Sequence, residues 1–222
     1  MTVGDRYHDV RFAFDARREV LWRSLWRFWF SRYVKPTSCV LELGCGYGHF
    51  INNVVARRRI GVDEWSGFLD HLADGVEGHV GDATDLGFVE SRSVDFAFAS
   101  NVVEHLSQDA FRRLLQQLAR TLAPGGLAAF LQPNYRFAYR EYFDDFTHVA
   151  VYSHVTLSDF LTARGFDVVE CHPRFLPLTI KSRFKVWPPL IWLYLNSPLK
   201  PFGKQMLIVA RVASSETPNQ RV

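Results

Sequence analysis

At 222 residues, 48% hydrophobic and 22% charged, the chain can bury one α/β core and is too apolar to be disordered. Its formal charge of +3, with no basic run interleaved with stacking aromatics, argues against a nucleic-acid module, and three cysteines without a CxxC pair argue against a disulfide framework or structural zinc. The opening MTVGDRYHDV lacks the apolar core of a signal peptide, and the longest apolar run, Val186 to Leu195, is too short to span a bilayer, so a cytoplasmic protein is expected.

In chain order, the spacing of Trp22, Trp26, Trp29 and Tyr33 predicts one helix from about Phe14 to Val34. SCVLEL reads as a short buried strand, and FINNVVARR, after a glycine loop, as a helix. RIGVD, EGHVGDA and SVDFAFAS supply three more strands. Ser107 is placed to N-cap a helix whose apolar face is Phe111, Leu114, Leu115, Leu118 and Leu122, and which Pro124, Gly125 and Gly126 stop. LAAFLQP is the fifth strand, SHVTLSDFLTARG a helix ending at Gly165, FDVVECH the sixth strand and QMLIVARV the last. Strands alternating with helices predict a parallel sheet covered on both faces. The expected divisions are an aromatic, basic helical cap over residues 1–36, a core over 37–172, an apolar basic insertion over 173–203, the final strand over 204–213 and a loose tail over 214–222.

The loop after the first strand, CVLELGCGYGHF, sits where open parallel sheets bind ligands. Gly44, Gly46 and Gly48 let the backbone turn tightly and approach a ligand. A dinucleotide fingerprint needs a small residue where His49 stands, and there is no G-K-[ST], so pyrophosphate and P-loop readings both weaken. Three acids point elsewhere. Glu42, two residues before Gly44, suits a cation or amino group; Asp63, ending the second strand, suits ribose hydroxyls; Asp82, after the third, suits an adenine amino group. A ligand with an adenine, a ribose and a positively charged tail satisfies all three, as S-adenosylmethionine does and NAD does not.

Together, VLELGCGYGHF, GVDEW, GDATDL, DFAFASNVVEHL and LARTLAPGGLAAFLQP resemble the class I S-adenosylmethionine-dependent methyltransferase family, over about Thr37 to Cys171 plus the final strand. The resemblance implies a Rossmann-like, mostly parallel sheet of seven strands with helices on both faces and the last strand antiparallel. It implies S-adenosylmethionine as cofactor and S-adenosylhomocysteine as product. Gly44, Gly46 and Gly48 would face the methionine part, Asp63 the ribose, Asp82 and Ala83 the adenine, and Asn101 the sulfonium. Cys45 and Glu64 complete the expected cofactor-binding set, and Trp65 is a candidate to pack on the adenine.

For the reaction, a hydroxyl acceptor must lose a proton, and His148, in DDFTHVAVYS after the fifth strand, is the candidate base with Asp145 to orient it. Some relatives carry E-x-x-E-H at NVVEH and bind a divalent metal. Here Asn101 replaces the first Glu, which disfavours a Glu104, His105 and His148 metal site but leaves it open. The expected acceptor is a hydroxyl on a sugar-containing, lipid-linked or natural-product small molecule. The basic aromatic ends also suit peripheral contact with an anionic membrane surface, with six Lys/Arg and no acid between Pro173 and Lys204. Two further alternatives are a cofactor-binding scaffold without catalysis, against which the intact loop and three acids argue, and an NAD-dependent oxidoreductase, disfavoured by His49 and Glu42.

Overall fold

The computed structural model describes residues 15–177 and 186–214. Phe14, residues 178–185 of the apolar basic stretch and nearly all of the expected tail lie outside them. One seven-stranded sheet has the order β3-β2-β1-β4-β5-β7-β6, from β1 (Cys39–Leu43), β2 (Arg58–Asp63), β3 (Val76–Val80), β4 (Val94–Ser100), β5 (Leu122–Pro133), β6 (Phe166–Pro177) and β7 (Gly203–Val212). β7 lies antiparallel between β5 and β6, and the other neighbouring pairs are parallel. The chain builds outward from β1 to β3, then returns to place β4 on the other side of β1. That reversal sets the crevice at the carboxyl ends of β1 and β4.

β1 is buried at all five positions, as a central strand covered on both faces must be. On one face α2 (Gln108–Thr121) and α4 (His154–Ala163) cover Leu41, Ala97, Phe130 and Ile208. Ser107 caps α2 by accepting from Ala110 N–H, and its buried residues are Phe111, Leu114, Leu115, Leu118 and Thr121. Leu122, expected on that helical face, is instead the first residue of β5, because the helix stops one residue earlier. α4 begins with a reciprocal Ser153–Thr156 capping box and is followed by Gly165 at φ +83°.

The opposite face is aromatic. α1 (Ala16–Phe28) and the 3₁₀ turn Phe30–Tyr33 press Leu25, Trp26 and Phe30 into Phe50, Phe96, Phe98 and Phe175, with Phe50 and Phe98 centroids 4.2 Å apart. The expected single helix is therefore broken at Trp29, which has φ −136° and so leaves helical geometry. α5 (Pro188–Asn196) lies on this face through Leu195, Ile191 and Tyr194. A four-residue helix, α3 (Tyr135–Ala138), follows β5.

One expected helix is absent. FINNVVARR forms only a 3₁₀ turn, Ile51–Asn53, before β2 starts at Arg58. The Asn52 side chain explains the stop: its amide donates to His71 O at 2.8 Å and its oxygen accepts from Ala73 N–H at 2.8 Å. An Asn committed to tertiary partners and the β-branched pair Val54–Val55 both oppose continuing the helix.

Candidate active site

The glycine loop is shaped by positive φ at all three glycines: +66° at Gly44, +47° at Gly46 and +66° at Gly48. A Cβ on Gly44 would stand 2.5 Å from Val102 Cγ2, so the loop nests against the start of the β4 exit loop and only glycine fits. Its base is pinned by Gly44 and Cys45 N–H donating to Val62 O. Asp63 ties the loop to β2: its carboxylate accepts from Gly46 N–H at 2.7 Å and from Trp65 N–H at 2.9 Å. Glu42 is buried, accepts from Ile51 N–H at 2.9 Å, and is pushed well above the usual carboxylate range by burial, with Asp63 adding to the rise. Cys45 is buried and its thiol is pushed up by burial and by Glu42 and Asp63, so it is a packing residue and not a nucleophile.

Asp82 closes its own turn through Thr84 N–H at 2.7 Å, while its carboxylate stays exposed at the end of β3. Glu64, also exposed, is raised by partial burial and by the charges of Asp82 and Asp63, which places three carboxylates together at the carboxyl ends of β2 and β3. Ala83 packs partly buried against the core. Trp65 meets Tyr47 at 5.3 Å and lies over His71 at 5.8 Å, an aromatic wall beside these acids. A cradle of backbone without Cβ atoms, acids and an aromatic wall suit a cationic adenosyl ligand.

Asn101 follows β4 at φ +53°, a left-handed conformation that Asn tolerates better than most residues. Its N–H donates to Leu131 O, and its side-chain oxygen accepts from Gln205 Nε2 at 2.9 Å. The 3₁₀ turn Val103–His105 then places Glu104 and His105. The Glu104 carbonyl accepts from both Val149 and Ala150 N–H, clamping the segment after β5 onto this turn. As a result one ligand atom each of Glu104, His105 and His148 lie within 4.8 Å of one another. The spacing in the sequence leaves these three open as an alternative metal site, and the fold brings them together.

The electrostatics there are unusual. Glu104 is 0% exposed, and among the described residues both its buried oxygens lack a hydrogen-bond partner. Burial, with the charge of Asp145 adding, pushes its pKa up to about 8. His105 is shifted down by burial and by His148. The His148 ring Nδ1 meets Tyr142 O at 2.5 Å; a carbonyl only accepts, so this contact assigns the proton to Nδ1 and leaves Nε2 as the basic nitrogen. Asp145 accepts from the Thr147 hydroxyl at 2.6 Å, and that hydroxyl lies 2.9 Å from His105 Nδ1. Asp145 is thus linked to the cluster through Thr147 and His105.

Sequence reasoning missed Gln205, Thr147, Tyr142 and Gln132. The first arrives from the far end of the chain, and Tyr142 acts through its backbone carbonyl, so no motif signals either. Gln132, at the carboxyl end of β5, is 1% exposed, and among the described residues both its side-chain amide atoms lack a partner. A polar residue ending an apolar strand was the available clue.

The seven-stranded order, the glycine loop and the acids at the ends of β2 and β3 define a class I methyltransferase. A family model described as "Methyltransferase domain" matches residues 14–171, and the chain belongs to that family: it is an S-adenosylmethionine-dependent methyltransferase. The chain is 38% identical over 98 residues to the biotin biosynthesis bifunctional protein BioHC of Cellvibrio japonicus, a match covering 40% of this chain and 18% of that protein. Among solved structures it is similar to a SAM-dependent methyltransferase from Archaeoglobus fulgidus, with TM-score 0.67, 21% identity, and 94% and 99% of the two chains covered. It is also similar to geranyl diphosphate C-methyltransferase from Streptomyces coelicolor A3(2), with TM-score 0.60, 14% identity, and 84% and 76% covered. Among the described residues, no helix is long and apolar enough to cross a membrane.

Proposed function

We propose that the protein methylates a hydroxyl of a small-molecule acceptor, sugar-containing or otherwise, with His148 as the general base. The observation that carries this reading is the His148 tautomer: Nδ1 tied to the Tyr142 carbonyl leaves Nε2 to take a proton. The cofactor supplies an electrophilic methyl group when bound. The residues supply everything else. Gly44, Gly46 and Gly48 let the methionine portion approach the backbone, and Asp63 stands where the ribose hydroxyls of such a ligand would lie. Asn101, fixed by Gln205, stands at the carboxyl end of β4, two residues before the turn that carries Glu104 and His105. An acceptor hydroxyl lying against His148 would give its proton to Nε2 as its oxygen takes the methyl group, the methyl–sulfur bond breaking to leave S-adenosylhomocysteine. Alignment provides most of the acceleration, and proton removal a further ~10²- to 10⁴-fold. Substituting His148 by alanine should leave S-adenosylhomocysteine affinity intact and abolish most turnover; unchanged turnover would sink the base assignment.

A second reading is favoured by the buried, unpartnered Glu104 oxygens. With two imidazoles within 4.8 Å, they form a donor set that suits a divalent transition cation, which would hold the acceptor oxygen and lower its pKa. Asn101 in place of a further carboxylate makes such a site weaker. Metal analysis of the purified protein, with turnover measured before and after chelation, separates the two: loss on chelation and recovery with metal favours the second.

A further inference from the structure

A cavity of about 300 Å³ opens beside the crevice, lined by Arg136, Arg174 and Lys204 with Phe137, Tyr139 and Phe202. It lies where α3 leaves β5 and where β7 begins, two segments joined by Asn134 N–H donating to Lys204 O. The volume is at the lower end of the roughly 300–1,000 Å³ typical of small-molecule sites.

Among the described residues its three cations face one paired acid. Lys204 is paired with Glu141. Among the described residues Arg136 makes no ion pair, and Arg174 makes none either but lies over the Phe137 ring at 4.2 Å. Two exposed guanidiniums therefore face a wall of aromatic rings with a net charge of plus two. Arginine forks match phosphate oxygens bidentately, and a carboxylate monoanion would leave one charge uncompensated.

The cavity also has the right neighbours. Lys204 precedes Gln205, which bonds Asn101. Glu141, the Lys204 partner, precedes Tyr142, whose carbonyl meets His148. β7 runs antiparallel two strands from β4, so its first residues stand at the same end of the sheet as the end of β4, roughly 10 Å across the strands.

We propose that this cavity anchors the phosphate or diphosphate group of the acceptor, Arg136 and Arg174 gripping a doubly charged anion while the hydroxyl to be methylated reaches His148. The proposal rests on the hydroxyl-methylation reading and names its substrate class. Phe202, 84% exposed at the cavity rim, and the exposed Trp187, Leu190 and Leu193 of the neighbouring segment suit an acceptor carried on a lipid, but a soluble phosphate ester has the same headgroup chemistry.

The test is calorimetric titration of inorganic pyrophosphate into the full chain, with a chelator present so that no metal mediates binding. Arg136→Ala/Arg174→Ala should weaken binding at least about tenfold per arginine, with S-adenosylhomocysteine affinity unchanged as proof of folding. Arg136→Lys/Arg174→Lys, which keeps charge but loses the fork, should fall between. No pyrophosphate binding by the wild type, or equal binding by the alanine variant, overturns the proposal. Co-sedimentation with phosphatidylcholine vesicles, with and without phosphatidic acid, then assigns the source. Arginine-dependent pelleting supports a lipid-borne phosphate, and pyrophosphate binding without pelleting supports a soluble one. If pyrophosphate binds through the arginines but His148→Ala retains turnover, the anion site stands and the base assignment fails.

Discussion

Replacing Asp63 by alanine removes the carboxylate that holds the glycine loop to β2. Two hydrogen bonds disappear, from Gly46 N–H at 2.7 Å and Trp65 N–H at 2.9 Å, together with the acceptor available to a ribose. Hydrogen bonds to a charged group contribute about 1.5–3 kcal/mol each, so the two contacts sum to at least about 3 kcal/mol. Even if part of this is recovered by water, S-adenosylhomocysteine should bind roughly 100-fold more weakly. Asp63→Asn keeps one acceptor oxygen but turns an N–H toward a backbone N–H, so it should lose roughly tenfold. Calorimetric titration gives both affinities, and thermal unfolding of each variant separates loop disorder from global unfolding. An Asp63→Ala protein that stays folded and binds within about twofold of wild type would refute the assigned role of this carboxylate.

Three further outcomes follow from the same geometry. Gly44→Ala sets a Cβ 2.5 Å from Val102 Cγ2 at φ +66°, so it should cost about 2 kcal/mol or more in unfolding free energy and weaken cofactor binding, checked by denaturant melts and titration. Glu104 has a folded pKa of about 8 against an ordinary 4.5, so its contribution is present below about pH 4.5 and lost as pH rises toward 8. Glu104→Gln should remove this slope: its melting temperature should gain on wild type between those pH values, and parallel curves would contradict the burial argument. His148→Ala should lose about 100-fold or more in turnover at saturating cofactor while its S-adenosylhomocysteine titration stays at the wild-type value.

Much of the cofactor edge was legible because its chemistry is local. Glycines in G-x-G-x-G spacing demand positive φ, an acid at the end of β2 follows from the strand pattern, and the Ser107 cap fixes the start of α2. The acceptor edge was less legible because its parts come from distant segments. His148 meets His105 only because the Glu104 carbonyl captures Val149 and Ala150, a backbone contact that carries no sequence signature. Gln205 reaches Asn101 only through the antiparallel insertion of β7. The helix expected after the glycine loop failed for a different reason: its periodicity was adequate, but Asn52 found tertiary partners that a helix would have to give up. The cationic cavity draws one basic residue each from α3, β6 and β7, a grouping that the sheet order creates.

The most direct test is a crystal structure of the S-adenosylhomocysteine complex. The ribose hydroxyls are expected at Asp63, the adenine between Asp82 and Trp65, and the sulfur at the crevice bordered by Asn101, with His148 Nε2 facing it across the space left for an acceptor. Adenosyl density elsewhere, or a ligand whose sulfur points away from Asn101 and His148, would contradict this arrangement.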